Sequence, residues 1–144
     1  MGYSEGLTGL SALYLRGLGV KRDFNKAREL LEKGAFEFNN SNVYLRLGVI
    51  YNLGYGVKRD YVKAKEYFET AYKNGSTEAL IHLGILYLNG FGVEQNFEKT
   101  IEYIELAVRK NSSEALCALG FLHLMGLGFK KDYIKARELF EKSA

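Results

Sequence analysis

The residues able to act as nucleophile, metal ligand or proton shuttle are few: His82, His123 and Cys117. A Cys/His nucleophile needs a thiolate beside an imidazole, and a zinc site needs three or four Cys, His or carboxylate ligands around one point. None of the three stands at ligand spacing from another, so either site would need carboxylates brought in from other segments. No catalytic residue, metal ligand or cofactor-binding residue is assigned, and no cofactor is expected. Each has a plainer reading. His123 fills a column otherwise held by Tyr14, Tyr51 and Tyr87 and reads as a packed aromatic substitute. His82 reads as a partly exposed helix residue. Cys117 shares a column with Thr8, Leu45 and Ile81 and reads as a small apolar surface residue rather than an activated thiol. A single cysteine also excludes an intramolecular disulfide.

Two further patterns could bind charge. A glycine turn opening onto a helix N-terminus attracts anions, and four such turns occur: Gly17-Leu18-Gly19-Val20, Gly54-Tyr55-Gly56-Val57, Gly90-Phe91-Gly92-Val93 and Gly126-Leu127-Gly128-Phe129. Six residues after the first glycine of each comes Asp23, Asp60, Asn96 or Asp132. These side chains cap the next helix, occupy its amide donors and repel phosphate. The glycines are therefore turn residues, and no nucleic-acid partner is expected. The pairs Lys21-Arg22, Lys58-Arg59 and Lys130-Lys131 recur at equivalent places, interrupted by Glu94-Gln95. They read as solvated loop cations offsetting the aspartate caps, with an acidic partner surface, or nucleic acid as a poorer choice, as the other reading.

The turns belong to a unit repeated four times, at spacings of 37, 36 and 36 residues. Residues 54–69 and 126–141 share 10 identities in 16 positions. The one extra residue falls within 36–42, where a loop can absorb it. Each copy reads as two helices. The first is apolar at helical spacing, as in Leu80, Leu83, Ile85, Leu86 and Tyr87, and starts at a serine or threonine cap: Ser41, Ser76-Thr77 or Ser112-Ser113. The second starts at the Asp or Asn cap and carries a stripe such as Ala64, Tyr67, Phe68 and Ala71. Gly48, Gly84 and Gly120 occupy one register in the first helix. A glycine there costs about 1 kcal/mol relative to alanine, so its recurrence predicts a close helix crossing.

Composition agrees with a chain of helices. The 144 residues are 47% hydrophobic and 26% charged, with net charge +3, which argues for a folded domain rather than disorder. Proline is absent while glycine reaches 16, so helices are punctuated by glycine alone. The N-terminus has no basic, apolar leader pattern, and nowhere do 18 apolar residues run together, so no membrane insertion is expected. A cytoplasmic chain, or a periplasmic or secreted one whose leader has been removed, would both fit.

The pattern Leu-Gly-x-x-Tyr-x-x-Gly-x-Gly-Val-x-x-Asp-aromatic-x-Lys-Ala, fullest at residues 47–64, resembles the Sel1-like repeat, a relative of the tetratricopeptide repeat. The resemblance covers residues 6–144, with Asn96 and Thr100 replacing Asp and Ala in the third copy and His123 replacing Tyr in the fourth. The expected fold is all-α: one repeat domain over residues 1–144, built as a right-handed α-solenoid of four antiparallel helix pairs over about 6–42, 43–78, 79–114 and 115–144. The resemblance implies a non-catalytic interaction scaffold or adaptor that binds a protein or peptide segment in a concave groove. Two alternatives are an immunity or inhibitor protein for one bacterial toxin, and a regulatory repeat domain of a longer, enzyme-associated protein.

By resemblance to tetratricopeptide arrays, the first helix of each pair lines that groove. This points to Leu45, Val49, Asn52, Ile81, Ile85, Leu88, Asn89, Cys117, Phe121 and Met125 as partner-binding residues, with Glu5, Asn42, Glu78 and Glu114 on the rims to orient a basic or amide-rich ligand. At the other end of the chain, Leu139 and Phe140 have no following repeat to cover them. The expectation is a piece of a longer array, or self-association through the C-terminal repeat.

Overall fold

The computed structural model describes residues 2–144, which form eight helices and no strand: α1 (Gly2–Arg16), α2 (Phe24–Phe38), α3 (Ser41–Leu53), α4 (Tyr61–Lys73), α5 (Glu78–Asn89), α6 (Phe97–Arg109), α7 (Ser113–Met125) and α8 (Tyr133–Ser143). The chain divides into two compact units, residues 1–76 with α1 to α4 and residues 77–144 with α5 to α8. Each unit contains two helix pairs. This is an all-α repeat fold.

All four glycine turns are built alike. Gly17, Gly54, Gly90 and Gly126 sit at φ 68°, 72°, 69° and 68°, in the left-handed region that a Cβ disfavours. The Gly54 N–H donates to Ile50 O at 2.8 Å and the next N–H, of Tyr55, reaches the same carbonyl at 3.0 Å, which closes the end of α3. The following helix opens on its cap. Asp23, Asp60, Asn96 and Asp132 accept from the backbone N–H of Lys26, Lys63, Lys99 and Lys135 at 2.9, 2.9, 3.0 and 2.8 Å. Each cap residue in turn donates its own N–H to Tyr14, Tyr51, Tyr87 or His123 O, at 2.9 to 3.0 Å. That last bond uses the main chain, so histidine replaces tyrosine in the fourth copy without disturbing the turn.

The starts of the first helices differ from the expected serine caps. Ser112 does cap α7, accepting from Ala115 N–H at 3.1 Å. Helix α3 is instead capped by Asn40, which accepts from Asn42 N–H at 2.8 Å, and Ser41 is its first helical residue. Thr77, before α5, makes no side-chain cap bond. The extra residue within 36–42 does not lengthen a loop. Helix α2 has 15 residues where α4 and α6 have 13, and it stops at Asn39 with φ 47°. Asparagine tolerates the left-handed conformation, so the helix runs on and the link to α3 shrinks to two residues.

In unit 1–76 the core is Leu31, Val43, Leu47 and Ile50, with Leu15, Ala35, Val57 and Tyr67 packed on it. In unit 77–144 the buried residues include Leu80, Leu83, Leu86, Ile104, Leu119 and Leu122. The mid-helix glycines do mark close crossings. A Cβ on Gly48 would lie 2.5 Å from the Phe68 ring, and one on Gly120 would lie 2.9 Å from the Phe140 ring. Gly48→Ala should therefore lose up to about 2 kcal/mol, because overpacking of about 1–3 kcal/mol is offset by a helix-propensity gain of only about 1 kcal/mol. Gly9 also lies within a helix, but nothing approaches within 4 Å of its Cβ position. Gly9→Ala should gain up to about 1 kcal/mol. Thermal unfolding of both variants checks the contrast, and equal shifts would refute the close-crossing account.

Candidate functional site

Both histidines are already engaged by neighbouring side chains. His123, on α7, stacks on Phe129 with ring centroids 4.0 Å apart and planes at 13°, so it is packed as an aromatic, while its Nδ1 is buried with no hydrogen-bond partner. His82, on α5, is half-buried with Nε2 3.8 Å from Glu78 Oε1. Burial holds the His82 imidazole below its ordinary pKa of 6.5, while the Glu78 and Glu114 carboxylates pull it back upward. Cys117 is exposed. Among the described residues, no three His, Cys, Asp or Glu side chains come together in a way that could hold a metal ion.

The charged residues are tied to aromatics more closely than the sequence reading anticipated. The Arg22 guanidinium lies 5.3 Å from the Phe24 ring centroid and that of Arg59 lies 5.7 Å from Tyr61, whose hydroxyl accepts from Arg59 Nη1 at 3.2 Å. The recurring lysine has a second use. Lys63 Nζ sits 4.3 Å from the Tyr51 ring and Lys99 Nζ sits 4.9 Å from Tyr87. The constant separation of twelve residues from Tyr51 to Lys63 and from Tyr87 to Lys99 is the signal that could have revealed it. In the fourth copy the tyrosine is His123, and Lys135 pairs with Glu138 at 3.9 Å.

The ten residues assigned to a groove fall into two sets. In unit 1–76, Leu45 is only 8% exposed, below the surface, while Val49 and Asn52 are half-buried, and the Asn52 Oδ1 is buried without a hydrogen-bond partner. In unit 77–144, Ile81 and Leu88 are half-buried, Asn89, Cys117 and Met125 are exposed, and Ile85 and Phe121 are 42% and 56% exposed. The structure brings Ile85, Leu88 and Phe121 together along a cleft of about 220 Å³. Its floor is Gly84, Thr100 and Ile104. The Thr100 hydroxyl lies 3.2 Å from Gly84 O and 3.0 Å from Asn96 O, so its proton is taken up by main-chain carbonyls. Thr100 and Ile104 belong to a second helix, which the groove assignment left out.

At the C-terminal repeat the expectation of open apolar residues holds only in part. Leu139 is 5% exposed and buried within the α7–α8 pair. Phe140 lays its ring on Gly120 but is only half-buried, and it lines an open cleft with Leu124, Tyr133 and Ala136. Tyr133 and Ile134 of α8 are also exposed.

A pair of antiparallel helices closed by one glycine turn and repeated along the chain defines an all-α repeat protein. The Sel1 repeat model matches residues 4–35, 41–76, 77–112 and 113–144, and the chain belongs to the Sel1 repeat family. Sel1 repeats are generally protein–protein interaction modules, and the proteins built from them are typically non-catalytic scaffolds. Among solved structures the chain is similar to a Sel1 repeat protein from Oxalobacter formigenes, with 29% identity and TM-score 0.83 over 97% of this chain and 57% of that one. It is also similar to c5321, a protective antigen of uropathogenic Escherichia coli strains, with 27% identity and TM-score 0.82 over 97% of this chain and 30% of that one. The chain thus spans less than two thirds of either protein. Cysteine rich protein B of Helicobacter pylori, 24% identical with TM-score 0.57 over 81% of this chain and 87% of that one, shares the fold. No curated protein matches the chain. Among the described residues, no helix is long and apolar enough to cross a membrane.

The position of His82 has a consequence for stability. Its imidazole binds a proton more weakly when folded than when unfolded, so its contribution is fully present above about pH 6.5 and is lost as the pH falls through that value toward the depressed folded one. The melting temperature of the wild-type chain should fall between about pH 7 and about pH 5 more steeply than that of His82→Gln. Parallel curves would show that His82 does not titrate differently in the two states.

Proposed function

We propose that this chain is a non-catalytic protein-interaction module whose docking face is the apolar surface of α5 and α7 around Ile85, Leu88 and Phe121. One observation carries the reading: two large apolar side chains, Ile85 and Phe121, stand in water at the mouth of a cleft that offers no free polar donor. Single exposed apolar residues are ordinary, but a contiguous group beside a cavity is the feature that protein partners use. Ile81, Cys117, Asn89 and Met125 lie along the same two helices and extend the face. Val49 and Asn52 offer a smaller equivalent in unit 1–76. A protein segment lying along α5 and α7 would bury the two side chains, which is where alanine scans place most binding energy.

The test uses peptides selected on the wild-type chain from a displayed library of random dodecapeptides. The double variant Ile85→Glu, Phe121→Glu should bind them at least tenfold more weakly, a loss of about 1.4 kcal/mol or more. Its melting temperature should stay close to wild type, because both side chains are exposed. Undiminished affinity in the folded double variant would refute the docking face.

A further inference from the structure

The cleft lies where the third repeat departs from the second and fourth at two positions. Phe68 of α4 and Phe140 of α8 stand at the same register and lay their rings on Gly48 and Gly120. The third repeat has Ile104 there, whose Cδ1 comes within 3.1 Å of the Gly84 Cβ position but which carries no ring. Thr100 replaces the alanine found at 64 and 136, and its hydroxyl is turned onto the Gly84 and Asn96 carbonyls. What remains is an opening of about 220 Å³ floored by Gly84, Thr100 and Ile104. An apolar cavity of about 150 Å³ is large enough to hold benzene.

Along the same two helices the surface changes from apolar to acidic. Glu78 lies two turns before Ile85 on α5, and Glu114 lies two turns before Phe121 on α7; both are exposed. Both carboxylates stand in the first turn of their helices, each seven residues before a side chain that lines the cleft, and Glu78 Oε1 lies 3.8 Å from His82 Nε2. Seven residues at about 1.5 Å each put Glu78 about 10 Å along the axis from Ile85. In a partner, that distance is seven residues of helix or about three of extended chain.

Resting on the docking face proposed above, we infer that the cleft receives one bulky apolar side chain, leucine or phenylalanine, of a protein segment whose lysine or arginine, about 10 Å further along, faces Glu78 and Glu114. A charged or amide side chain entering the cleft would shed its water and find no partner. A segment with the same anchor but an acidic residue at that distance is disfavoured by the rim.

The peptides selected on the wild-type 144-residue chain are the probe. They should share a leucine or phenylalanine with a lysine or arginine at the stated distance. Ile104→Phe restores the ring that the second and fourth repeats carry, and it should weaken their binding at least tenfold without lowering the melting temperature. The double variant Glu78→Gln, Glu114→Gln should weaken binding severalfold at low salt and abolish the preference for a basic residue when the selection is repeated. A folded Ile104→Phe chain with undiminished affinity overturns the inference, as does a glutamine variant that keeps the basic preference. If Ile85→Glu, Phe121→Glu abolishes binding while Ile104→Phe does not, the docking face stands and the cleft inference fails. If the wild type selects no peptide, or both variants bind as it does, both fail. Should Ile104→Phe not fold, methyl resonances of the wild type decide the matter. Leu122 and Leu127 also line the cleft; peptide-induced shifts at Leu88, Ile104, Leu122 or Leu127 support the inference, and shifts confined to methyls outside the cleft overturn it.

Discussion

The structure depends on a backbone hydrogen bond from the N–H of the cap residue at the start of each second helix to the carbonyl of the tyrosine-column residue in the first. It forms only because a glycine at φ near 70° lets the chain reverse within a few residues. Four turns repeat this bond within 0.1 Å, at 2.9 to 3.0 Å. Once the turn is set, the two helices of a pair cross at one register, and that register is where Gly48, Gly84 and Gly120 are found. The first pair has the same turn with the buried Ser11 at that register, so the crossing demands a small residue, and it limits what the second helix can supply opposite it.

This hierarchy separates what the fold needs from what can vary. The turn uses main-chain groups, an Asp or Asn cap and two glycines, and is indifferent to most side chains on the outward stripe of the first helix. The aromatic column contributes a second layer, with Lys63 over Tyr51 and Lys99 over Tyr87, but it also accepts His123 stacked on Phe129. The outward stripe is the freest of all. Two repeats can share a turn to within 0.1 Å and still present Val49 in one and Phe121 in another at the same register.

Legibility in the sequence follows the same hierarchy. The repeat, the helix pairs, the left-handed glycines and the Asp and Asn caps could all be read, because each follows from contacts within a few residues along the chain. The start of α3 was misread because Ser41 and Asn40 are both good caps, and the choice depends on where the lengthened α2 stops. Leu139 was expected to lie open but is buried, since whether a helix pair covers its own apolar residues depends on packing rather than on repeat number. The groove columns were assigned by register alone. Register puts Leu45 and Cys117 in one column, yet one is below the surface and the other exposed. The cleft floor needed two facts at once, the glycine on α5 and the missing ring on α6, and only the folded geometry joins them.

An unfilled cleft has an energetic side as well. The Phe68 and Phe140 rings make dispersion contacts with the glycine backbone that Ile104 makes only in part, and atoms lining a gap lose partners on one side. Thr100 offsets some of this by bonding the Gly84 carbonyl, which ties α6 to α5 at the same level. A hydroxyl there is favourable only because it finds that carbonyl. Without it, a buried polar group would add to the loss. The third repeat thus adds a hydrogen bond to the Ile104 contact where the second and fourth repeats use a ring, and the remaining volume opens beside Ile85 and Phe121. An apolar group entering from outside would restore the contacts that the ring makes elsewhere. Binding at the proposed docking face and packing within the repeat would then draw on the same interaction, the contact of an apolar group with the backbone at Gly84.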